Sequence, residues 1–274
     1  MSAPQPPHSR DRSCAWDRVL DPGTSFFKKV RNSFLTPTSL WGLVINDAEM
    51  DAMLSGNSRA SSSFLSKVLR RVLWFWPRVV DAGVWVRERQ DPSEFRALTN
   101  DSRYLVDEVA MRAKDKHAPV LDIGCNCGRH LAALADMGFV NLHGVDVNAI
   151  AIEKMTEWFP QLDGICNART DFMQRYLLNA KDNAFDVVFT RGATVELIHP
   201  SFALVAELCR VAEQYVILMI QENEHGYSRF WNYEFLRNGF ALTHMIRPVD
   251  QMMADKESDD GKYLTLLVYR PRPA

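Results

Sequence analysis

The stretch VLDIGCNCGRH, residues 120–130, sets four mainly apolar positions ahead of a turn bounded by Gly124 and Gly128. Val120 to Ile123 has the character of a buried parallel strand, with Asp122 as its one polar member. The two glycines let the backbone turn tightly and approach a ligand, and a helix opening after Gly128 leaves its first N–H groups free. Asn126 stands where nucleotide-binding loops carry glycine. Asparagine tolerates left-handed backbone angles better than most residues, so it can keep the turn while its amide orients the loop.

A nicotinamide or flavin fingerprint needs G-x-G-x-x-G, whereas counting from Gly124 the chain has Asn126 and Arg129 at the next two glycine positions. A P-loop fails as well, because no G-K-[ST] follows. Asp122 also opposes a pyrophosphate, since a carboxylate at the turn repels a dianion and suits a cation.

Downstream of this loop, short apolar runs alternate with helical segments, which predicts a parallel α/β sheet. The pattern predicts helices over 129–137, closed by Gly138, and over 149–159, with a strand over 142–145 that ends at Asp146. Further strands are expected near 164–168, over 185–190, and over 215–220, whose uniformly apolar YVILMI should be covered on both faces. Residues 201–212 read as helical after Pro200. Residues 240–246 and 263–270 alternate, as the last strands of a mixed sheet with an antiparallel member do. Upstream, DPSEF offers a capping Asp91, a proline at the first helical position and Glu94 in the first turn, opening a helix expected from 92 to about 114.

The 274 residues carry 32 basic against 34 acidic side chains, a net charge of −2 that supplies no drive toward nucleic acid. With 47% hydrophobic and 24% charged residues, the chain reads as one globular α/β domain with an added segment. Its five cysteines, Cys14, Cys125, Cys127, Cys166 and Cys209, form no CxxC pair or zinc-type spacing, so free thiols in a reducing cytoplasm are expected. Residues 1–30 begin MSAPQPPHSRDRS, proline-rich and polar without the apolar core of a secretion signal, and are expected to be a flexible tail. No run approaches eighteen uncharged apolar residues, so no membrane span is expected.

Residues 31–90 are expected to form a helical cap over a catalytic domain at 91–274. Within the cap, Phe64, Leu65, Val68, Leu69, Val72, Leu73 and Trp76 make one helical stripe opposite Ser66, Lys67, Arg70 and Arg71. A basic aromatic helix of this kind either packs on the domain as a lid or makes a peripheral contact with an anionic membrane surface. Pro77 ends or kinks it.

The loop VLDIGCNCGRHL followed by LHGVDVNAIAIEKM resembles motif I and the acidic end of the second strand in class I S-adenosylmethionine-dependent methyltransferases. That resemblance implies a Rossmann-like seven-stranded mixed sheet and S-adenosylmethionine as cofactor. It implies that Asp122, Gly124, Cys125, Asn126 and Gly128 face the methionine part, and that Asp146 accepts from the ribose hydroxyls. Val147 and Asn148 would lie along the adenosine, Asp171 and Phe172 at the adenine, and Arg191 with Gly192 near the transferred methyl. A narrower likeness in IGCNCGR, FTRGATVELIHP and ELCRVAEQYVILMIQENE is to methyltransferases associated with pseudaminic acid and other surface-sugar biosynthesis.

On the acceptor side, His199 is the first candidate base, its pKa ordinarily near neutrality, with a helix-cap or packing role as the alternative. Glu222, His225, Tyr227, Arg229 and Trp231 form a polar and aromatic cluster after the fifth strand, placed to bind substrate or to remain a solvated loop. No metal-ligand set is visible. The expected activity is O-methylation of a small or sugar-like metabolite. Transfer to nitrogen or carbon, or a binding protein on the same fold, stay open.

Overall fold

The computed structural model describes residues 26–38, 41, 47–55, 91–221, 227–246 and 264–273. Helix α1 (Phe26–Val30) runs into a π-turn at Arg31–Leu35, and α2 (Asp47–Leu54) follows. A 3-10 turn at Pro92–Phe95 precedes α3 (Asn100–Arg112). Then come β1 (Val120–Ile123), α4 (Arg129–Asp136), β2 (Leu142–Asp146), α5 (Ala149–Trp158), β3 (Cys166–Thr170) and α6 (Met173–Asn179). Strand β4 (Phe185–Arg191), a 3-10 stretch at Gly192–Leu197, α7 (Leu204–Val211) and β5 (Ala212–Gln221) lead to α8 (Trp231–Arg237), β6 (Phe240–Ile246) and β7 (Leu264–Pro271).

The seven strands form one sheet in the order β3-β2-β1-β4-β5-β7-β6. The first five are parallel, and β7 runs antiparallel to both β5 and β6. The expected mixed α/β sheet is therefore present. Strand order reverses between β1 and β4, so the crevice beyond their carboxyl ends is where a sheet of this kind takes its ligand.

Strand β5 has the two-sided burial that its apolar run predicts. Val216, Leu218 and Ile220 join a core with α7 and α8, while Ile217 and Met219 join the opposite core with α3 and α4. Burying both faces of a central strand explains why its sequence shows no alternation.

The helix expected over 92–114 is instead interrupted. Asp91 caps only the 3-10 turn, its carboxylate accepting from Ser93 N at 3.0 Å, and Thr99 is extended before α3 begins. The break has a use: Phe95 O accepts from Cys127 Sγ at 3.4 Å and Ala97 O from Arg129 Nη1 at 2.9 Å, so carbonyls freed from a helix anchor the loop after β1. Helix α7 starts at Leu204 and not at 201, because Ser201 N donates to His199 Nδ1 and Phe202 N to His199 O, forming a turn first. Helices α6 and α8 carry no periodicity strong enough to predict them.

The described part of the N-terminal segment lies along the carboxyl edge of the parallel strands. Helix α1 begins at Phe26, inside the stretch expected as a tail. Asn32 Nδ2 donates to Ser228 O at 2.8 Å, Ser33 Oγ to Glu234 Oε1 at 2.7 Å, and Phe34 packs on Phe230 and Tyr233. Trp41 packs on Phe202 after β4, and α2 sets Met50 against Phe172 after β3. The amphipathic stretch at 64–76 lies outside the described residues. Among the described residues no helix is long and apolar enough to cross a membrane.

Candidate functional site

The loop after β1 is built on three left-handed residues in alternation: Gly124 at φ 74°, Asn126 at φ 47° and Gly128 at φ 84°. Asn126 keeps the glycine-like turn, and its Oδ1 accepts from Cys127 N at 2.7 Å. The loop is then tied to β2. Gly124 N donates to Val145 O at 2.8 Å, and Asn126 N to Asp146 Oδ2 at 2.8 Å. Cys125 and Cys127 are buried free thiols whose pKa values burial raises, so they act as small packing groups. Nothing larger than glycine fits opposite Cys125, since a Cβ on Gly144 would lie 2.7 Å from its Sγ.

Asp146 sits at the end of β2, its Oδ1 accepting from Asn148 N at 2.8 Å. Burial raises its carboxyl pKa, and the backbone N–H groups of Asn148 and Asn126 oppose that rise. Each oxygen retains a lone pair, so the group can still accept from a vicinal diol. Val147 borders the small cluster formed by Met50 and Phe172.

Asp122 is fully buried at the end of β1. Its Oδ2 lies 3.1 Å from His130 Nδ1, and its Oδ1 has no hydrogen-bond partner among the described residues. At the end of β3, Asp171 Oδ1 accepts from Phe172 N at 2.8 Å and from Arg175 Nε at 2.7 Å. Arg175 also donates to Asp51 of α2 at 2.5 Å, bridging the strap to the sheet. Three carboxylates thus stand at the ends of three adjacent strands.

Arg191, ending β4, is engaged by Asp101 of α3 through its Nε at 2.5 Å. Burial is the largest single influence on the Asp101 carboxyl and raises its pKa, but Arg191, the Thr99 hydroxyl and Arg129 together outweigh it and the net shift is downward. The Arg191 side chain therefore braces α3 against β4, and Gly192, left-handed at φ 81°, faces open space beside the strand end. Thr190 Oγ1 donates to Ile123 O at 2.7 Å, locking the two strand ends that flank the crevice.

On the acceptor side, His199 and Tyr227 are buried in edge-to-face contact with ring centroids 5.3 Å apart. A backbone N–H can only donate, so the Ser201 N contact at 3.1 Å makes His199 Nδ1 an acceptor and places the proton of the neutral ring on Nε2. That tautomer opposes His199 as a base. Arg229 is buried, donates to Ile198 O at 3.1 Å and pairs with Glu234 at 3.2 Å. It holds the loop after β4 against α8, its Nε is buried without a hydrogen-bond partner among the described residues, and Trp231 is buried with it. Glu222 and His225 lie outside the described residues.

Sequence reasoning did not find Met50, Arg175, Ser102 or His130. Their partners lie far away in sequence or across a strand-to-helix turn, where no local period signals them. Among the described residues no group of three His, Cys, Asp or Glu side chains could hold a metal.

Residues 120–214 match the family described as a methyltransferase domain. Among solved structures, the [4+2]-cyclase SpnF aligns at TM-score 0.50 and 14% identity, over 63% of this chain and 81% of its own. The CcbJ methyltransferase from Streptomyces caelestis aligns at TM-score 0.50 and 14% identity, over 64% and 91%. A chain from the complex of the Haloferax volcanii Trm112 methyltransferase activator with a methyltransferase aligns at TM-score 0.50 and 14% identity, over 69% and 96%. No curated protein matches the sequence. At these identities the solved structures share the fold alone. The sheet order and the turn after β1 agree with the domain match: residues 120–214 carry a methyltransferase-domain match on a Rossmann-like seven-stranded mixed sheet of the class I methyltransferase fold.

Proposed function

We propose that the chain is an S-adenosylmethionine-dependent methyltransferase that acts on a small or sugar-like metabolite, at a hydroxyl oxygen. The observation that carries the small acceptor is the strap along the carboxyl edge of the sheet. It is fastened at one flank by Asn32 and Ser33 to Ser228 and Glu234, and at the other by Met50 and Asp51 to Phe172 and Arg175. A crevice covered in this way suits a compact acceptor better than a folded protein or a duplex. The net charge of −2 agrees, since a nucleic-acid substrate favours a basic surface.

On this reading Asp122, Gly124, Cys125, Asn126 and Gly128 surround the methionine end, with Asp146 at the ribose. Val147, Asn148, Asp171 and Phe172 hold the adenosine end, and Gly192 borders the reacting centre. The donor set fits the group: a buried oxygen of Asp122 awaits a cation, and Asp146, with no cationic partner among the described residues, awaits hydroxyls. When bound, the cofactor supplies an electrophilic methyl on a sulfonium. The chain's own contribution is positioning and exclusion of water. A hydroxyl acceptor must also lose a proton. We assign His199 a turn-capping and packing role, through Nδ1 and against Tyr227, in place of the base expected from sequence.

A second reading has one observation in its favour: SpnF, which shares the fold, is a [4+2]-cyclase, so the fold is compatible with chemistry other than methyl transfer. The test is incubation with S-adenosylmethionine carrying a labelled methyl and a panel of sugar nucleotides, phenols, amines and RNA. Label on an oxygen of a small acceptor supports the proposal. Label only on amines, carbon or RNA, or turnover without consumption of the cofactor, refutes it.

A further inference from the structure

We infer that His130 is a positioning residue for the amino-acid end of the cofactor, acting through Asp122 and itself held by Ser102. The inference rests on the proposed placement of the cofactor's ammonium group at Asp122. Asp122, His130 and Ser102 are all buried, and they come from three different elements: the end of β1, the first turn of α4 and the first turn of α3.

The direction of each hydrogen bond follows from chemistry. An ionised carboxylate only accepts, so at 3.1 Å His130 Nδ1–H donates to Asp122 Oδ2. In the neutral ring Nε2 is then an acceptor, and the Ser102 hydroxyl 3.1 Å away donates to it. Thr99 Oγ1 donates in turn to Ser102 Oγ at 2.9 Å. The chain Thr99, Ser102, His130 hands its last donor to one oxygen of Asp122 and leaves Oδ1 without a partner among the described residues.

A fully buried carboxylate with one unpaired oxygen is costly unless a ligand supplies the missing donor. The cofactor's ammonium is such a donor, and the amino-acid end is the part of the molecule that carries it. His130 does for Asp122 what a backing group does for any preorganised polar contact: it fixes the plane of the carboxylate and satisfies the oxygen the ligand does not use. A purely structural His130 would support both ends of the cofactor alike.

The test compares two ligands by calorimetry on the full chain. S-adenosylhomocysteine carries the ammonium and carboxylate, and 5′-methylthioadenosine lacks both. His130→Leu should weaken S-adenosylhomocysteine about 10- to 100-fold, the range expected when a charged hydrogen-bonded contact is lost, and leave 5′-methylthioadenosine within about twofold. His130→Asn, whose amide can replace the Nδ1 donor, should recover most of the loss. Ser102→Ala should show a smaller loss of the same selectivity, and it is the arm to read if His130→Leu does not fold. Equal weakening of both ligands, or no change in either, overturns the inference. A folded wild-type protein that binds 5′-methylthioadenosine and not S-adenosylhomocysteine overturns the placement of the ammonium as well.

Discussion

Replacing Asn126 separates the two things it does. Its backbone is left-handed at φ 47°, and its side-chain Oδ1 accepts from Cys127 N at 2.7 Å. Asn126→Ala incurs the left-handed penalty of about 1–2 kcal/mol for a residue with a Cβ, and loses a hydrogen bond contributing about 1 kcal/mol. The sum is about 2–3 kcal/mol. Asn126→Gly removes the steric penalty, loses the same hydrogen bond, and adds about 0.5–1 kcal/mol of unfolded-chain entropy, giving about 1.5–2 kcal/mol. Asn126→Val, β-branched at positive φ, should be worst. In a domain of this size each kcal/mol is about 2–4 °C, so thermal melts should rank wild type, Gly, Ala, Val from highest to lowest. Affinity for S-adenosylhomocysteine should fall in the same order if the turn is preorganised for the ligand. An alanine variant as stable as the glycine one would show that the backbone angle is not what selects Asn126.

Gly124→Ala adds a Cβ at φ 74° that would lie 2.4 Å from Thr194 Oγ1; strain of about 1–2 kcal/mol plus overpacking of about 1–3 kcal/mol should lower the melting temperature. Thr194→Ala in the same chain should restore the overpacking part alone, and full or absent rescue would contradict this division. Because burial raises the Asp146 carboxyl pKa while hydroxyl donors favour its ionised form, S-adenosylhomocysteine affinity should hold at neutral pH and fall as pH drops through that raised value. Calorimetry with Asp146→Asn, which should flatten the profile, checks the assignment. Asp51 and Arg175 should couple by less than about 1 kcal/mol in a double-mutant thermal cycle, since Asp51 is largely exposed. Either Asp51→Ala or Arg175→Met should nonetheless speed ligand dissociation in stopped flow, and unchanged release would argue that the strap does not cover the ligand.

The parallel strands were legible because buried strands carry runs of apolar residues that few other contexts produce, and the turn between Gly124 and Gly128 because left-handed angles restrict residue choice. Strand bounds drifted where pairing and not polarity decides them. β3 begins at Cys166 because its register with β2 pairs Leu142 with Cys166 and Asp146 with Thr170. Roles that depend on distant partners were hidden: Arg191 looked like a pocket residue by position, yet Asp101, ninety positions earlier, occupies it. Arg229 looked like a substrate ligand in a polar loop, yet it is buried against Ile198 O and Glu234. A charged residue's sequence position tells where its Cα lies, and only the fold tells which opposite charge reaches it first.

The three strand-end carboxylates differ in how far the protein itself has satisfied them, and that difference suits one ligand shape. Asp171 is neutralised by Arg175 and so is left as a hydrogen-bond acceptor with little net charge. Asp146 has both oxygens on backbone N–H groups and no cationic partner among the described residues, which suits hydroxyls that need acceptors and bring no charge. Asp122 keeps one oxygen unpaired and takes a hydrogen bond from the His130 ring on the other, which suits a cation. Adenine amino group, ribose diol and ammonium follow in that order along S-adenosylmethionine. A pyrophosphate dinucleotide would set its negative charge next to Asp122, and Arg191 and Arg175 are already engaged by Asp101 and Asp171. Asparagine at position 126 preserves the left-handed turn, and on the proposed placement of the cofactor the carboxylate at position 122 suits that loop to an ammonium and sulfonium ligand and not to phosphates.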